Sequence, residues 1–172
     1  MARGRPPASP PTSLFQQALA AVGLFDGAID THDGSFASGH IIIDAGRALC
    51  ADYPPCPLDG FVDWEAMVPG SVIAARFGKP PYAIAQEDPL WHQLTEYSAV
   101  ALRNVAQLWM PQCIMLGGLM VVGYPTIPLE PIRAELKKHP LTKGIDIRKA
   151  ACGVFGGLYG AMRVAQLVGR QE

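Results

Sequence analysis

The stretch DPLWHQLTEYSAVALRNVAQLWMPQCIMLGG, residues 88–118, carries the fold class. Asp88 has the side chain of a helix N-cap and Pro89 suits the first helical position. Leu90, Leu94, Tyr97, Ala101, Val105 and Leu108 then recur at helical spacing up to Pro111. Cys113 to Leu116 is too short for a helix and reads as a buried strand, which Gly117-Gly118 ends. Helix, strand and glycine turn in succession predict an α/β domain.

Working upstream, the β-branched run Ile41-Ile42-Ile43 predicts a strand. Asp63 can cap a short helix carrying Trp64, Glu65, Met67 and Val68, which Pro69-Gly70 disturbs. Val72 to Phe77 resumes it and Gly78 stops it. Between these lies DAGRALCADYPPCPLDGFV, residues 44–62, a Cys/Pro-rich loop without periodicity; loops of this length are usually functional or metal-stapled. Ser13 and Gln16 have capping-box spacing ahead of a helix ending at Gly23, with a strand over Ala20–Val22 as the competing reading. Residues 1–12 form a Pro-rich tail expected to be disordered. Downstream, a helix is expected over Leu129–Lys138, with Lys137-Lys138 at its dipole-negative end, and another over Gly153–Val168, apolar and rich in small residues.

Composition narrows the function classes. Of 172 residues 49% are hydrophobic and 17% charged, which excludes an intrinsically disordered chain. The net charge of −1 leaves no surplus to neutralise a phosphate backbone, so nucleic acid is not expected as a partner. The longest apolar run, Cys113 to Val122, is far short of the ~20 residues that cross a membrane, so no membrane partner is expected. Met1 to Arg5 is charged with no apolar segment behind it, and Cys50, Cys56, Cys113 and Cys152 are read as reduced thiols of a cytoplasmic protein.

Four constellations bear on chemistry. His40, Cys50, Cys56 and Asp59 are all zinc-ligand types, and Cys56-Pro57-Leu58-Asp59 is compatible with a metal knuckle, but there is no CxxC pair; a buried thiol, a loop Asp and a hydrogen-bonded His are the commoner arrangement of such residues. Ile114 to Met120 is a strand ending in Gly117-Gly118, where a nucleotide can approach backbone, or simply a tight turn. The small residues of Gly153 to Ala161 allow close packing against a sheet or a nucleotide. Glu65, beside Trp64, can accept hydrogen bonds from sugar hydroxyls or merely favour a helix's first turn.

These elements occur in an order that resembles the C-terminal lobe of the ROK family of sugar kinases and repressors, nearest its fructokinase branch. The matching positions are Gly39-His40-Ile41, Cys56-Pro57-x-x-Gly60, Glu65, Gly70 and Ala75-Arg76-Phe77-Gly78-Lys79. They continue with Trp91, Glu96-Tyr97, Ala101-Leu102-x-Asn104, Pro111, Ile114-x-Leu116-Gly117-Gly118-x-Met120 and Gly157-Leu158-x-Gly160-Ala161, spanning about residues 37–168. The resemblance implies a ribonuclease-H-like lobe of the actin/hexokinase type, over residues 13–172, with the Cys/Pro-rich loop as an insertion. It implies transfer of the γ-phosphoryl group of ATP to a hexose, most nearly fructose, with Mg²⁺. His40 and Glu65 would bind the sugar, and Gly117 and Gly118 would line the adenosine pocket. His40, Cys56 and Asp59 would be what is left of a zinc site.

The departures from the family pattern bear on activity. Asp59 stands where the fructokinase branch has its second zinc-binding His, and the last Cys falls on Val62 or Asp63. Zinc would then bind through Asp59 and Asp63, or through Cys50, with less selective chemistry. Ala37 replaces a sugar-binding Glu, and of a glycine-rich phosphate loop only Gly23 and Gly27 remain. The catalytic Asp of the family belongs to an N-terminal lobe, and Asp26, Asp30 and Asp33 lie in the wrong segment to replace it. The expectation is an incomplete or degenerate kinase lobe that pairs with a second copy or with a separate N-terminal lobe. The rival expectation is a non-catalytic dimerisation module. A repressor would need a helix-turn-helix that residues 1–12 cannot form.

Overall fold

The computed structural model describes residues 24–25, 28–29, 38–44 and 62–168. The tail, the helix expected over Ser13–Gly23 and residues 45–61 of the Cys/Pro-rich loop lie outside the described residues. Two short antiparallel pairs come first among the described residues. β1 (Leu24–Phe25) pairs with β2 (Ala28–Ile29), and β3 (Ile42–Asp44) pairs with β4 (Val62–Asp63). β3 lies one residue beyond the expected run: Ile41 N–H donates to the Ser38 carbonyl at 3.3 Å and belongs to the turn before the strand.

Helix α1 (Gly70–Phe77) starts at the disturbing Pro69-Gly70 pair rather than after it. Pro69 is its N-cap, where the fixed proline φ costs nothing. Gly78 ends it in the left-handed conformation, φ 67°. Helix α2 (Pro89–Trp109) is the central element, and Asp88 caps it as expected, its side chain accepting Leu90 N–H at 3.0 Å. Trp91, Leu94, Ala101 and Leu102 are buried along it, and the buried hydroxyls of Thr95 and Ser98 donate to carbonyls one turn back. Leu108, expected on the apolar face, is 73% exposed. It sits in the last turn, past the point where the core ends.

Strand β5 (Cys113–Leu116) runs parallel to β6 (Asp146–Lys149), with Cys113 opposite Asp146 and Leu116 opposite Lys149. A parallel pair needs a crossover, here supplied by the short α3 (Leu119–Val122) and by α4 (Leu129–Lys137). α4 packs on α2 and buries Leu129, Ile132 and Leu136. Arg133 donates from Nε and Nη2 to the Ile147 carbonyl at 2.9 and 2.6 Å, tying α4 to β6. Gln86 closes the crossover further: its amide donates to the Thr126 carbonyl at 2.9 Å and accepts Thr126 N–H at 2.7 Å. The α/β class is therefore as expected, with β6 and α3 as elements that composition alone does not announce.

Two expectations need correction. β5 is not a buried strand: Ile114 and Leu116 are half-buried, whereas Cys113 and Met115 are exposed, Met115 at 62%. It has one strand neighbour among the described residues and covers the core with one face only. The last helix begins as a 3-10 turn, Gly153–Phe155, followed by α5 (Gly156–Val168). Its small residues do not serve close packing among the described residues, since a Cβ at Gly157 or Gly160 would meet nothing within 4 Å.

Candidate functional site

The β3–β4 pairing brings together two residues far apart in the chain. His40 ends a 3-10 turn, Ser38–His40, just before β3, and Glu65 follows just after β4. Backbone bonds prolong the pairing past the strands: Glu65 N–H donates to the Gly39 carbonyl at 2.8 Å and Trp64 N–H to the Ile41 carbonyl at 3.1 Å. Glu65 Oε2 consequently stands 3.6 Å from His40 Nε2. Both side chains reach solvent, His40 at 36% and Glu65 at 18% exposure, so a ligand has access to the pair.

Asp63 completes the cluster. Its side chain is 1% exposed and its Oδ2 lies 2.9 Å from His40 Nδ1, within hydrogen-bond distance. Its Oδ1 accepts Ala66 N–H at 2.7 Å, so the cap expected of Asp63 exists, but over a single turn rather than a helix. Trp64 is fixed by donation from its indole N–H to Ser98 Oγ on α2 at 3.3 Å. Asp63 was expected as a cap and as a substitute zinc ligand, not as the partner of His40. Its signal was its spacing: residues i and i+2 of an extended segment point to the same side, so Asp63 and Glu65 could address one partner.

Gly117 and Gly118 follow β5 at the carboxyl ends of the parallel pair, where Ala150 N–H donates to the Leu116 carbonyl at 2.8 Å. A Cβ on Gly117 would stand 3.5 Å from that of Ala150. Gly118 has φ 85° and ψ 158°, a conformation that essentially only glycine adopts. A cleft of about 530 Å³ opens here, lined by Gly117, Gly118, Met120, Ser98 and Trp64, the last being the chain neighbour of Glu65. The carboxyl ends of parallel strands are the ordinary place for a ligand in an α/β sheet. The structure thus brings His40 to Glu65, and sets the glycine turn on a cleft that Trp64 also lines.

Of the expected zinc ligands, Cys56 and Asp59 lie outside the described residues. Among the described residues no three His, Cys, Asp or Glu side chains are grouped to hold a metal ion. The two described cysteines, Cys113 and Cys152, are free and exposed. No helix among the described residues is long and apolar enough to cross a membrane.

Comparison with known proteins gives a consistent direction. No family model matches the chain. It is 33% identical over 96 residues to a fructokinase from Lactococcus lactis subsp. cremoris, covering 56% of this chain and 31% of that one. It is 24% identical over 168 residues to a fructokinase from Pediococcus pentosaceus, covering 91% of this chain and 56% of that one. The crystal structure of the ROK hexokinase from Thermus thermophilus superposes with a TM-score of 0.59 at 20% identity, over 85% of this chain and 53% of that one. The chain therefore shares the fold of part of that hexokinase and spans about half the length, or less, of the relatives it matches.

Proposed function

We propose that this chain, a relative of the ROK-family sugar kinases, is the ribonuclease-H-like C-terminal lobe of an ATP-dependent hexose kinase of the fructokinase type. The reading rests on one observation above all. His40 and Glu65 meet at 3.6 Å, and Trp64, the chain neighbour of Glu65, lines a cleft that Gly117 and Gly118 also line. In this reading the Glu65 carboxylate accepts hydrogen bonds from sugar hydroxyls, and His40 Nε2 faces the same ligand. Gly117 and Gly118 line the adenosine pocket, where missing side chains let a base lie against backbone. ATP arrives with Mg²⁺, which neutralises charge on the phosphates during transfer; no described residue is assigned to hold it.

The sugar hydroxyl attacks the γ-phosphorus in line, and an Asp takes its proton. We assign that Asp to an N-terminal lobe outside this sequence. Without it the chain is a poor kinase, since loss of a general base typically costs roughly 10²–10⁴-fold in rate. The working compartment in this reading is the cytoplasm. A second reading, a non-catalytic docking module, draws on the exposed side chains Phe155, Leu158, Tyr159 and Met162. They recur at helical spacing, and a second copy of the chain or the N-terminal lobe would cover them.

The test is ADP release and hexose binding by the purified chain with Mg·ATP and fructose, glucose, mannose or N-acetylmannosamine. We expect saturable binding of one hexose, weakened roughly tenfold or more by Glu65→Gln, and little ADP release. Turnover in the ordinary kinase range of roughly 1–100 s⁻¹ would overturn the incomplete-enzyme reading and name the substrate. A folded chain that binds no hexose would overturn the sugar-lobe reading.

A further inference from the structure

We infer that the cleft beside Gly117 and Gly118 takes a purine by its ring surface and does not read the ring's edge, so that the chain binds Mg·GTP as well as it binds Mg·ATP. This deepens the nucleotide half of the proposed function and rests on it for the class of ligand.

The chemistry of the walls carries it. The cleft measures about 530 Å³, inside the range of roughly 300–1,000 Å³ in which proteins hold small molecules. Among the described residues its lining includes no charged side chain. A triphosphate drawn into it would be buried without a partner, at high cost, so the phosphates stay outside and the uncharged base enters. Among the described lining residues, two side chains carry nitrogen or oxygen, Trp64 and Ser98, and the fold already engages both. The indole N–H of Trp64 donates to Ser98 Oγ at 3.3 Å, and the Ser98 hydroxyl donates to the Leu94 carbonyl at 2.7 Å. The carbonyls of the turn are engaged as well. That of Gly118 accepts Val121 N–H and Val122 N–H, each at 3.0 Å, and that of Leu119 accepts Gly123 N–H at 2.9 Å. The Met120 carbonyl accepts Ile127 N–H at 2.8 Å, and the Val121 carbonyl accepts the Thr126 hydroxyl at 2.7 Å. Adenine and guanine differ at the ring edge, one bearing an amino group where the other has a carbonyl. Telling them apart takes a polar group reserved for that edge, and a site so built rejects the wrong ligand by roughly 10⁴–10⁵-fold. Here the surface offered is apolar, from Leu102, Met120 and Ile132, together with glycine backbone. Such a surface meets the flat face of any purine alike, and apolar pockets reject a near-isostere only weakly.

The experiment is titration calorimetry of the full chain with Mg·ATP, Mg·GTP and, as the probe for phosphate alone, Mg·tripolyphosphate. We expect the two nucleotides to bind within about tenfold of each other, and both more tightly than tripolyphosphate. Gly117→Val adds a branched side chain to the wall of the cleft and should weaken both nucleotides by a similar factor. Gly117 has no positive φ, and a Cβ there meets the Ala150 Cβ at 3.5 Å, an ordinary contact, so the backbone tolerates the change. A preference for one purine of more than about tenfold, or a Gly117→Val chain that loses one nucleotide and keeps the other, would overturn the inference and leave the nucleotide site in place. Nucleotides that bind no better than tripolyphosphate, or that are indifferent to Gly117→Val, would defeat the adenosine-pocket reading itself and this inference with it. Should Gly117→Val fail to fold, the ratio of the two nucleotides on the unaltered chain still decides.

Discussion

Gly118 is the residue where backbone conformation and site meet most directly. At φ 85° and ψ 158° it turns the chain out of β5, and a Cβ there would touch nothing within 4 Å. Any cost of Gly118→Ala is therefore backbone strain and not collision. We expect a loss of roughly 1–3 kcal/mol, read as a lower urea midpoint at unchanged slope. An alanine at Gly144, which also has open space but no positive φ, serves as the control and should cost less. His40 and Glu65 were legible through the family resemblance, which fixed their types and order. Their approach to 3.6 Å was not, because residues 44–62, which lie between them, carry no periodic signal, and pairing across such a gap depends on tertiary hydrogen bonds.

Helices were more legible than strands. α2 matches its expected start to the residue because its signals are local: a capping carboxylate, a proline at the first position and a hydrophobic stripe. Asp88→Ala removes the acceptor for Leu90 N–H and should cost roughly 0.5–2 kcal/mol. In a domain of this size that is a fall of about 2–4 °C in Tm per kcal/mol, measurable by calorimetry. β5 illustrates the opposite case. Four apolar residues in a row, Cys113 to Leu116, suggest burial on both faces, yet alternate side chains are exposed. Whether a strand is covered once or twice depends on which other elements reach it, and that is not written in the strand. β6, Asp146-Ile147-Arg148-Lys149, has one buried residue and three exposed ones, so it has no apolar run to notice.

At the scale of the molecule, two groups of apolar side chains stand out among the described residues. One forms a continuous core around α2, with Trp64, Met67, Ile73, Trp91, Leu102 and Ile132. The other is exposed: Phe155, Leu158, Tyr159 and Met162 along the last helix, with Met115 and Leu119 also exposed. A stripe of large apolar side chains at helical spacing marks a surface that something covers. We expect the chain to elute larger as its concentration rises, and Leu158→Glu to remove that dependence. Elution that does not change with concentration would exclude a second copy as the cover and leave the N-terminal lobe as the proposed occupant.

The sequence alone determined the α/β class, the helices with local caps and the identities of His40, Glu65, Gly117 and Gly118 as candidates, since caps, periodicity and motif order are properties of neighbouring residues. Only the tertiary structure decided that Asp63 joins His40, that β5 is covered on one face, and that the last helix presents its apolar side outward. Each of these depends on which distant segment comes to lie alongside, and hydrogen-bond distance and burial are set by that meeting, not by residue type.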